Sequence, residues 1–292
     1  MTRKILVPLD GSVTAEAVLP YAVALARAAG DALLLLRVVT PTEISQSLFW
    51  KTTIPQELRR EWTEAVLTRA NVYLASMAER LRAMGVHVLF DVQPAEDAAA
   101  AIVARAGGET TIGLIAMTTH GYGGALRWAF GSVAGKVLHA APTPLLVVRS
   151  NGGAHLPVLE ASYRTICVPL DGSTLAEQAL IEAELLATRT GARIVLLSVV
   201  AQPADEAADA EEYIGRIANR LRADQFKVTT HVVAGTPAEQ IIRVAAEEQA
   251  DLIMMATHGR TGLQQLWLGS VATRVVHGAN IPVLLIRARN GV

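Results

Sequence analysis

The sequence predicts an α/β protein made of two tandem doubly wound domains, each a parallel sheet with helices on both faces. Three observations carry this: uninterrupted apolar runs alternate with helical periods, the order βαβαβαβαβ occurs twice, and the same short words recur in both halves. Val7-Pro8-Leu9-Asp10-Gly11-Ser12 returns as Val168-Pro169-Leu170-Asp171-Gly172-Ser173. Thr119-His120-Gly121 and, nine residues on, Gly131-Ser132-Val133-Ala134 return as Thr257-His258-Gly259 and, nine residues on, Gly269-Ser270-Val271-Ala272. A length of 292 residues agrees with two domains. They are expected at 1–150 and 162–292, with 151–161 as a linker, because Ser150-Asn151-Gly152-Gly153-Ala154 has no apolar period.

In the first copy, Ile5 to Leu9 reads as a buried strand ended by Asp-Gly-Ser, with Ser12 or Thr14 as N-cap of a helix from Ala15 to Ala29 that Gly30 closes. Ala32 to Val39 is the second strand, and a long helix runs from Gln56 to Met84. Val86 to Val92 is the third strand, and Pro94-Ala95-Glu96 opens a helix through Ala106, since proline and acids suit a first turn. Leu114 to Met117, the helix Ser132 to His139 and the strand Pro144 to Arg149 complete the copy. The second copy reads as strand Thr165 to Leu170, helix Ala176 to Thr190, strand Ile194 to Val200 and helix Glu211 to Ala223. Strand Lys227 to Val233, helix Ala238 to Gln249, strand Leu252 to Met255, helix Ser270 to His277 and strand Val283 to Ile286 follow.

The copies differ mainly in one stretch. Asp10 and Asp171 are 161 positions apart but Gly121 and Gly259 only 138, so the first copy has 23 additional residues, mostly between Thr40 and Glu64. Phe49, Trp50 and Trp62 lie there, either on a lid or partner surface or, the favoured reading, on a longer helix start packing its own aromatics. Val92 is expected to stand where the second copy has Gly235.

Composition excludes several function classes. With 51% hydrophobic and 18% charged residues and a net charge of −1, nothing favours nucleic acid or a membrane surface. Apolar runs are far shorter than the roughly 20 residues of a membrane helix. The start, Met1-Thr2-Arg3-Lys4, runs straight into a strand without a signal-peptide pattern, and the lone Cys167 reads as a buried inert thiol; both fit the cytoplasm.

The chemistry concentrates at the carboxyl ends of the first and fourth strands, where a doubly wound sheet takes its ligand. Gly131-Ser132 and Gly269-Ser270 open a helix whose unpaired N–H groups and positive end suit an anion, and glycine lets backbone approach a phosphate. The serine hydroxyls either cap the helix or donate to phosphate, and tight turns alone could also demand the glycines. Asp10 and Asp171 suit a ribose hydroxyl or base amino group, with a helix-start Asx turn as the local alternative; their recurrence favours binding. His120 and His258 have no second ligand at metal spacing and read as loop-bracing. Gly131 to Val137 is not a P-loop, since the glycine interval is one short and Val137 stands in place of the hydroxyl residue; no Gly-x-Ser-x-Gly elbow occurs.

These words, with Gly235-Thr236-Pro237-Ala238-Glu239, resemble the universal stress proteins in a tandem two-domain form, over nearly the whole chain. The resemblance implies five-stranded sheets of order 3-2-1-4-5, as in the adenine nucleotide alpha hydrolase-like fold. It implies binding of ATP or a related adenine nucleotide, with or without Mg2+, in a cytoplasmic stress-response module that is not primarily an enzyme. Carried over by position, the acid near adenine is Asp10 and Asp171. The backbone lining the base is Val38 or Val39 and Val199 or Val200. The phosphate-side loop is Gly121, Gly131, Ser132 and Val133 in one copy and His258, Gly259, Gly269, Ser270 and Val271 in the other. The pattern's first glycine is Thr118 in the first copy and Ala256 in the second, which makes the second copy the more competent site. The family also pairs domains through their last strands, implying an intrachain pseudo-dimer, with homodimerisation through other surfaces. A slow ATP-hydrolysing enzyme and a nucleotide-independent interaction protein are the alternatives.

Overall fold

The computed structural model describes residues 2–46, 56–119, 130–149, 161–200, 204–257 and 268–287. In the first repeat β1 (Lys4–Pro8), β2 (Ala32–Val39), β3 (Val88–Pro94) and β4 (Ile112–Thr118) are parallel, in the order β3-β2-β1-β4. Their connections carry α1 (Val13–Glu16), α2 (Leu19–Ala29), α3 (Pro41–Gln46), α4 (Gln56–Ala83) and α5 (Ala98–Gly108). Helix α6 (Ser132–Ala140) then leads to β5 (Leu145–Val148). The second repeat has β6 (Thr165–Pro169), α7 (Thr174–Thr190), β7 (Arg193–Val200), α8 (Ala204–Ala223) and β8 (Val228–Ala234). It continues with α9 (Pro237–Glu247), β9 (Leu252–Ala256), α10 (Ser270–Gly278) and β10 (Val283–Ile286). Its parallel strands run β8-β7-β6-β9-β10, the expected 3-2-1-4-5 order. Helical crossovers between the parallel strands cover both faces, and the central strands are fully buried at Ile5, Leu6, Leu33, Leu35 and Ile166. Each such side chain contributes about 1.5–3 kcal/mol by leaving water.

Contacts divide the chain into two compact units, one built on residues up to Pro142 and one on residues from Leu159, with Thr143–Arg149 belonging to the second. Within that second unit β5 pairs antiparallel with β10, Val147 opposite Val283 and Leu145 opposite Leu285. These are the two last strands whose pairing the family resemblance implies. Among the described residues no helix is long and apolar enough to cross a membrane.

The structure corrects the sequence reading in four places. The helix expected from Ala15 to Ala29 is two helices, α1 and α2, parted at Ala17-Val18. Pro20 in the first turn of α2 has no N–H to continue the ladder, and its ring opposes the preceding turn. The second copy has Ile181 at this place, and α7 runs unbroken for 17 residues. Helix α8 begins at Ala204 rather than Glu211, because the Ala-Glu-Asp stretch there has helix propensity without an apolar period. Pro94 is the last residue of β3, and α5 starts three residues later on the N-cap Asp97, whose side chain accepts from Ala100 N at 3.0 Å. Finally, Ala95 and not Val92 is the counterpart of Gly235. Pro94 sits opposite Val39 as Ala234 sits opposite Val200, and Ala95 N donates to Val39 O as Gly235 N donates to Val200 O. Gly235 has φ +138°, a conformation reserved largely for glycine, so the two copies leave this strand differently.

Part of the insertion is a helix extension, since α4 has 28 residues and α8 has 20. Trp62 on that extension is 38% exposed, so it is only partly packed; Phe49 and Trp50 lie outside the described residues.

Where the helices end, at the amino edge of the second sheet, charged groups collect. Arg193 pairs with the Glu248 carboxylate and donates to Glu248 O at 3.0 Å and Thr229 Oγ1 at 3.0 Å, while His231 Nε2 lies 2.8 Å from Glu248 Oε1. The Arg193 hydrogen bond, ahead of the one from His231, holds the Glu248 carboxyl below the usual carboxylate range. A carboxyl depressed in the folded state stabilises above its unfolded pKa, and this is lost as pH falls through the folded value. Urea unfolding between pH 7 and pH 3 should therefore show Glu248→Gln with a shallower acid loss than the parent; parallel curves would remove Glu248 from the acid response. Val147→Asp should cost at least about 3 kcal/mol, because it buries a charge in the β5–β10 ladder. A melting temperature unchanged by that substitution would show the pairing to be dispensable.

Candidate functional site

Beyond β1 and β6 the chain makes the same turn twice. Gly11 and Gly172 take φ of +83° and +80°, which requires glycine, and direct the next serine to cap a helix. Ser12 Oγ accepts from Ala15 N at 3.0 Å, and Ser173 Oγ accepts from Ala176 N at 3.1 Å. Each serine also donates twice to the preceding aspartate: Ser12 N and Oγ reach Asp10 Oδ1 at 2.9 and 2.6 Å, and Ser173 N and Oγ reach Asp171 Oδ1 at 3.0 and 2.6 Å. The Asx turn weighed as the local alternative is thus present. It also fixes the carboxylate, and Asp171 lines a cavity.

A second repeated contact was not visible in the sequence reading. Tyr73 Oη donates to Glu16 Oε1 at 2.8 Å, and Tyr213 Oη donates to Glu177 Oε1 at 2.9 Å. Each pair ties the long helix α4 or α8 to the first helical turn after the aspartate. Burial, then the hydrogen bond to glutamate, pushes both phenols above the ordinary tyrosine range. The signal was there to find: glutamate six residues after the aspartate and tyrosine in the next long helix occur in both copies.

The cavity of the second unit has a volume of about 290 Å³, at the small end of the range for small-molecule sites. It gathers Asp171, Val199, Ala256, Gly269, Ser270 and Val271 from the predicted set. Val200 is not among its lining residues, and its carbonyl accepts from Gly235 N at 3.1 Å; of the two valines, Val199 is the one at the cavity. By the same register Val39 O accepts from Ala95 N at 3.0 Å, and Val38 corresponds to Val199. The remaining wall includes Met255, Thr257, Pro237 and Ile241. His258, Gly259 and Gly121, with His120, lie outside the described residues.

Gly269 closes the chain back onto the strand end, its N–H donating to Thr257 O at 2.7 Å, as Gly131 N donates to Thr119 O at 2.9 Å. Gly131 and Gly269 are the N-caps of α6 and α10, without a side-chain cap bond, at φ −56° and −63°. These values suit any residue, so the turn itself does not demand glycine. Gly269, Ser270 and Val271 line the cavity, so the first turn of α10, whose amides have no partner within the helix, borders it. Ser132 and Ser270 stand one residue inside the helix and are exposed, so they do not cap it. Val133 follows Ser132 at the position that Val271 holds at the cavity.

Counted position by position, every lining residue of the second cavity recurs in the first copy except two. Ala256 becomes Thr118, buried at the end of β4, and Pro237, which follows the N-cap Thr236 of α9, becomes Ala98, which follows the N-cap Asp97 of α5; Ile241 is kept as Ile102. Among the described residues no group of three His, Cys, Asp or Glu side chains is placed to hold a metal ion.

If the turn holds the aspartate at the cavity, Ser173→Ala should cost about 1 kcal/mol and Tyr213→Phe a similar amount, read by urea denaturation. Neither substitution changing stability would show that the turn is held by its backbone alone.

The sequence profile of the universal stress protein family matches residues 1–149 and 162–287. A universal stress protein of Methanocaldococcus jannaschii is 28% identical over 161 residues, 45% of this chain and 99% of that protein. A second one from that organism is 31% identical over 143 residues, 44% of this chain and 84% of that protein. A universal stress protein of Mycobacterium tuberculosis is 28% identical over 186 residues, 60% of this chain and 61% of that one. In fold, the chain is similar to the crystal structure of a universal stress protein from Archaeoglobus fulgidus, with a TM-score of 0.75, 22% identity, and coverage of 97% of this chain and 98% of that one.

Proposed function

Because the chain belongs to the universal stress protein family, we propose that it binds ATP or a related adenine nucleotide and acts as a stress-response binding and signalling module rather than as a catalyst. The observation that carries this reading is Gly269: a glycine that its own backbone angle does not require, capping a helix at a cavity that Asp171 also lines. In this reading the first amides of α10 and Ser270 hold the phosphates, Asp171 takes a ribose hydroxyl or the base amino group, and Val199 with Ala256 lies against the sugar and base. Asp10, Val38, Thr118, Gly131, Ser132 and Val133 do the same in the first copy. Mg2+, when present, enters on the phosphates. Among the described lining residues the groups that would meet phosphate are N–H and O–H donors, and the Asp171 carboxylate is already held by two donors from Ser173, which supports slow turnover with binding as the output.

We place the protein in the cytoplasm, where its single thiol fits a reducing environment. Cys167 is fully buried, and desolvation pushes its thiol up to about 12, so it is a packing residue rather than a nucleophile. Self-association through surfaces other than the last strands belongs to the same proposal.

Native mass spectrometry of freshly purified protein, followed by calorimetry with ATP, tests the reading. Copurified or titrated adenine nucleotide should be found, and Gly269→Val should abolish binding at the tighter site while the fold is retained. No heat and no thermal shift at millimolar ATP would overturn it; steady product release would replace the module with an enzyme.

A further inference from the structure

At the end of the second strand the copies differ beside a backbone acceptor. Pairing of β6 with β7 ends at Pro169 opposite Leu197, where Leu170 N donates to Leu197 O; pairing of β1 with β2 ends in the same way at Pro8 opposite Leu36, with Leu9 N donating to Leu36 O. In a parallel ladder the N–H and C=O of one residue point to the same neighbouring strand, and those of the next residue to the other neighbour. Val199 and Val38 therefore turn both groups to the side of β6 and β1, past the point where those strands have ended. Val200 and Val39 turn theirs to β8 and β3, as the bonds from Gly235 N and Ala95 N require. In the second copy this donor and acceptor stand at the cavity that Val199 lines. In the first copy the acceptor is already engaged. Arg37 precedes Val38 where Ser198 precedes Val199, and Arg37 Nη1 donates to Val38 O at 3.1 Å. Its Nη2 pairs with the Glu43 carboxylate of α3, which lies in the stretch where the first copy is longer. Ser198 is buried and brings no charge to the corresponding point.

We propose that Arg37 changes the base that the first copy selects, from adenine to an oxopurine such as guanine or hypoxanthine. The inference rests on the nucleotide-binding reading above and alters only the base taken by the first copy. Adenine sets its amino group beside a ring-nitrogen acceptor, and the C=O and N–H of Val199 complement that pair. At Val38 a cationic donor already holds the oxygen, so an amino group approaching it meets a second donor in place of a free acceptor. What remains there is a pair of donors, Val38 N–H and the guanidinium, whose Nη1 carries two N–H groups of which the bond to Val38 takes one. Two adjacent donors match the O6 and N7 acceptors of an oxopurine, the pairing that arginine makes most often with guanine. Glu43 holds the guanidinium in place, and the Arg37 side chain is only 13% exposed, so solvent screens its charge weakly.

Calorimetry on the full chain with ATP and inosine triphosphate tests this, because the two nucleotides differ only in the purine ring. Gly269→Val closes the second site and leaves the first to be read alone. In that variant inosine triphosphate should bind about tenfold more tightly than ATP, the scale of one hydrogen bond gained or refused. In Gly131→Val, which leaves the second site open, the order should reverse. Arg37→Ser, which installs the residue of the second copy, should turn the first site to ATP. Arg37→Met keeps the buried stem without a donor and reads the same change if the serine variant fails to fold. Should the glycine variants fail to fold, native mass spectrometry after incubation with an equimolar mixture should find both nucleotides on the unaltered chain, and ATP alone on Arg37→Ser. ATP preferred at both sites would overturn the inference while leaving nucleotide binding intact. So would an Arg37 substitution that shifts both nucleotides by the same factor, the result expected of a purely structural arginine, or binding to the parent with none to a folded Gly269→Val. Failure of every purine nucleotide to bind the parent protein would overturn the nucleotide-binding reading and this inference with it.

Discussion

One backbone hydrogen bond in each copy determines where everything else at the site can stand. Gly269 N–H donates to Thr257 O, and Gly131 N–H to Thr119 O, fastening the start of a helix to the end of the strand it has just left. A parallel strand ends with carbonyls that have lost their ladder partners, and a helix begins with amides that have not yet gained theirs. Joining one of each leaves the remaining amides of the first turn facing the space above the sheet. The aspartate turn closes that space from the other side, and its two serine donors hold the carboxylate at fixed reach. The site is therefore built from termini, the parts of an α/β domain whose hydrogen bonding the fold leaves incomplete.

This explains why so much could be read without coordinates. A duplicated chain compares itself with itself: words kept in both halves mark strand ends and helix starts, and eight of the residues in those words line the second cavity. The parallel sheet followed from alternation, and the strand order from the family resemblance. What escaped the reading depended on neighbours distant in sequence. Tyr213 and Glu177 are 36 positions apart, and only packing shows that α8 lies over the turn after Asp171. The break between α1 and α2 was legible in Pro20, but apolar periodicity across it outweighed that single residue. The mispairing of Val92 with Gly235 arose because the short strands β3 and β8 have few internal landmarks, so register came only from their hydrogen bonds to β2 and β7.

The copies have diverged little around the crevice. The aspartate turns and the helix-capping glycines are the same in both, while Ala256 at the end of β9 becomes Thr118 at the end of β4 and Pro237 at the start of α9 becomes Ala98 at the start of α5. Such a distribution is what duplication permits: a position whose backbone must close a turn tolerates little, whereas a side chain facing a ligand is free to follow the ligand. The longer α4 and the exposed Trp62 belong to the first copy alone, so that half also differs outside its crevice.

The single cysteine has a consequence for how motion in this chain can be observed. Cys167 lies at the middle of β6, flanked by β7 and β9, and no other thiol exists in the sequence. A thiol reagent can reach it only when the central strand of the second unit opens. The rate of labelling therefore reports the opening free energy of that unit, with no signal from the first. A natural isotope-free clock for one half of a duplicated protein is built into its core.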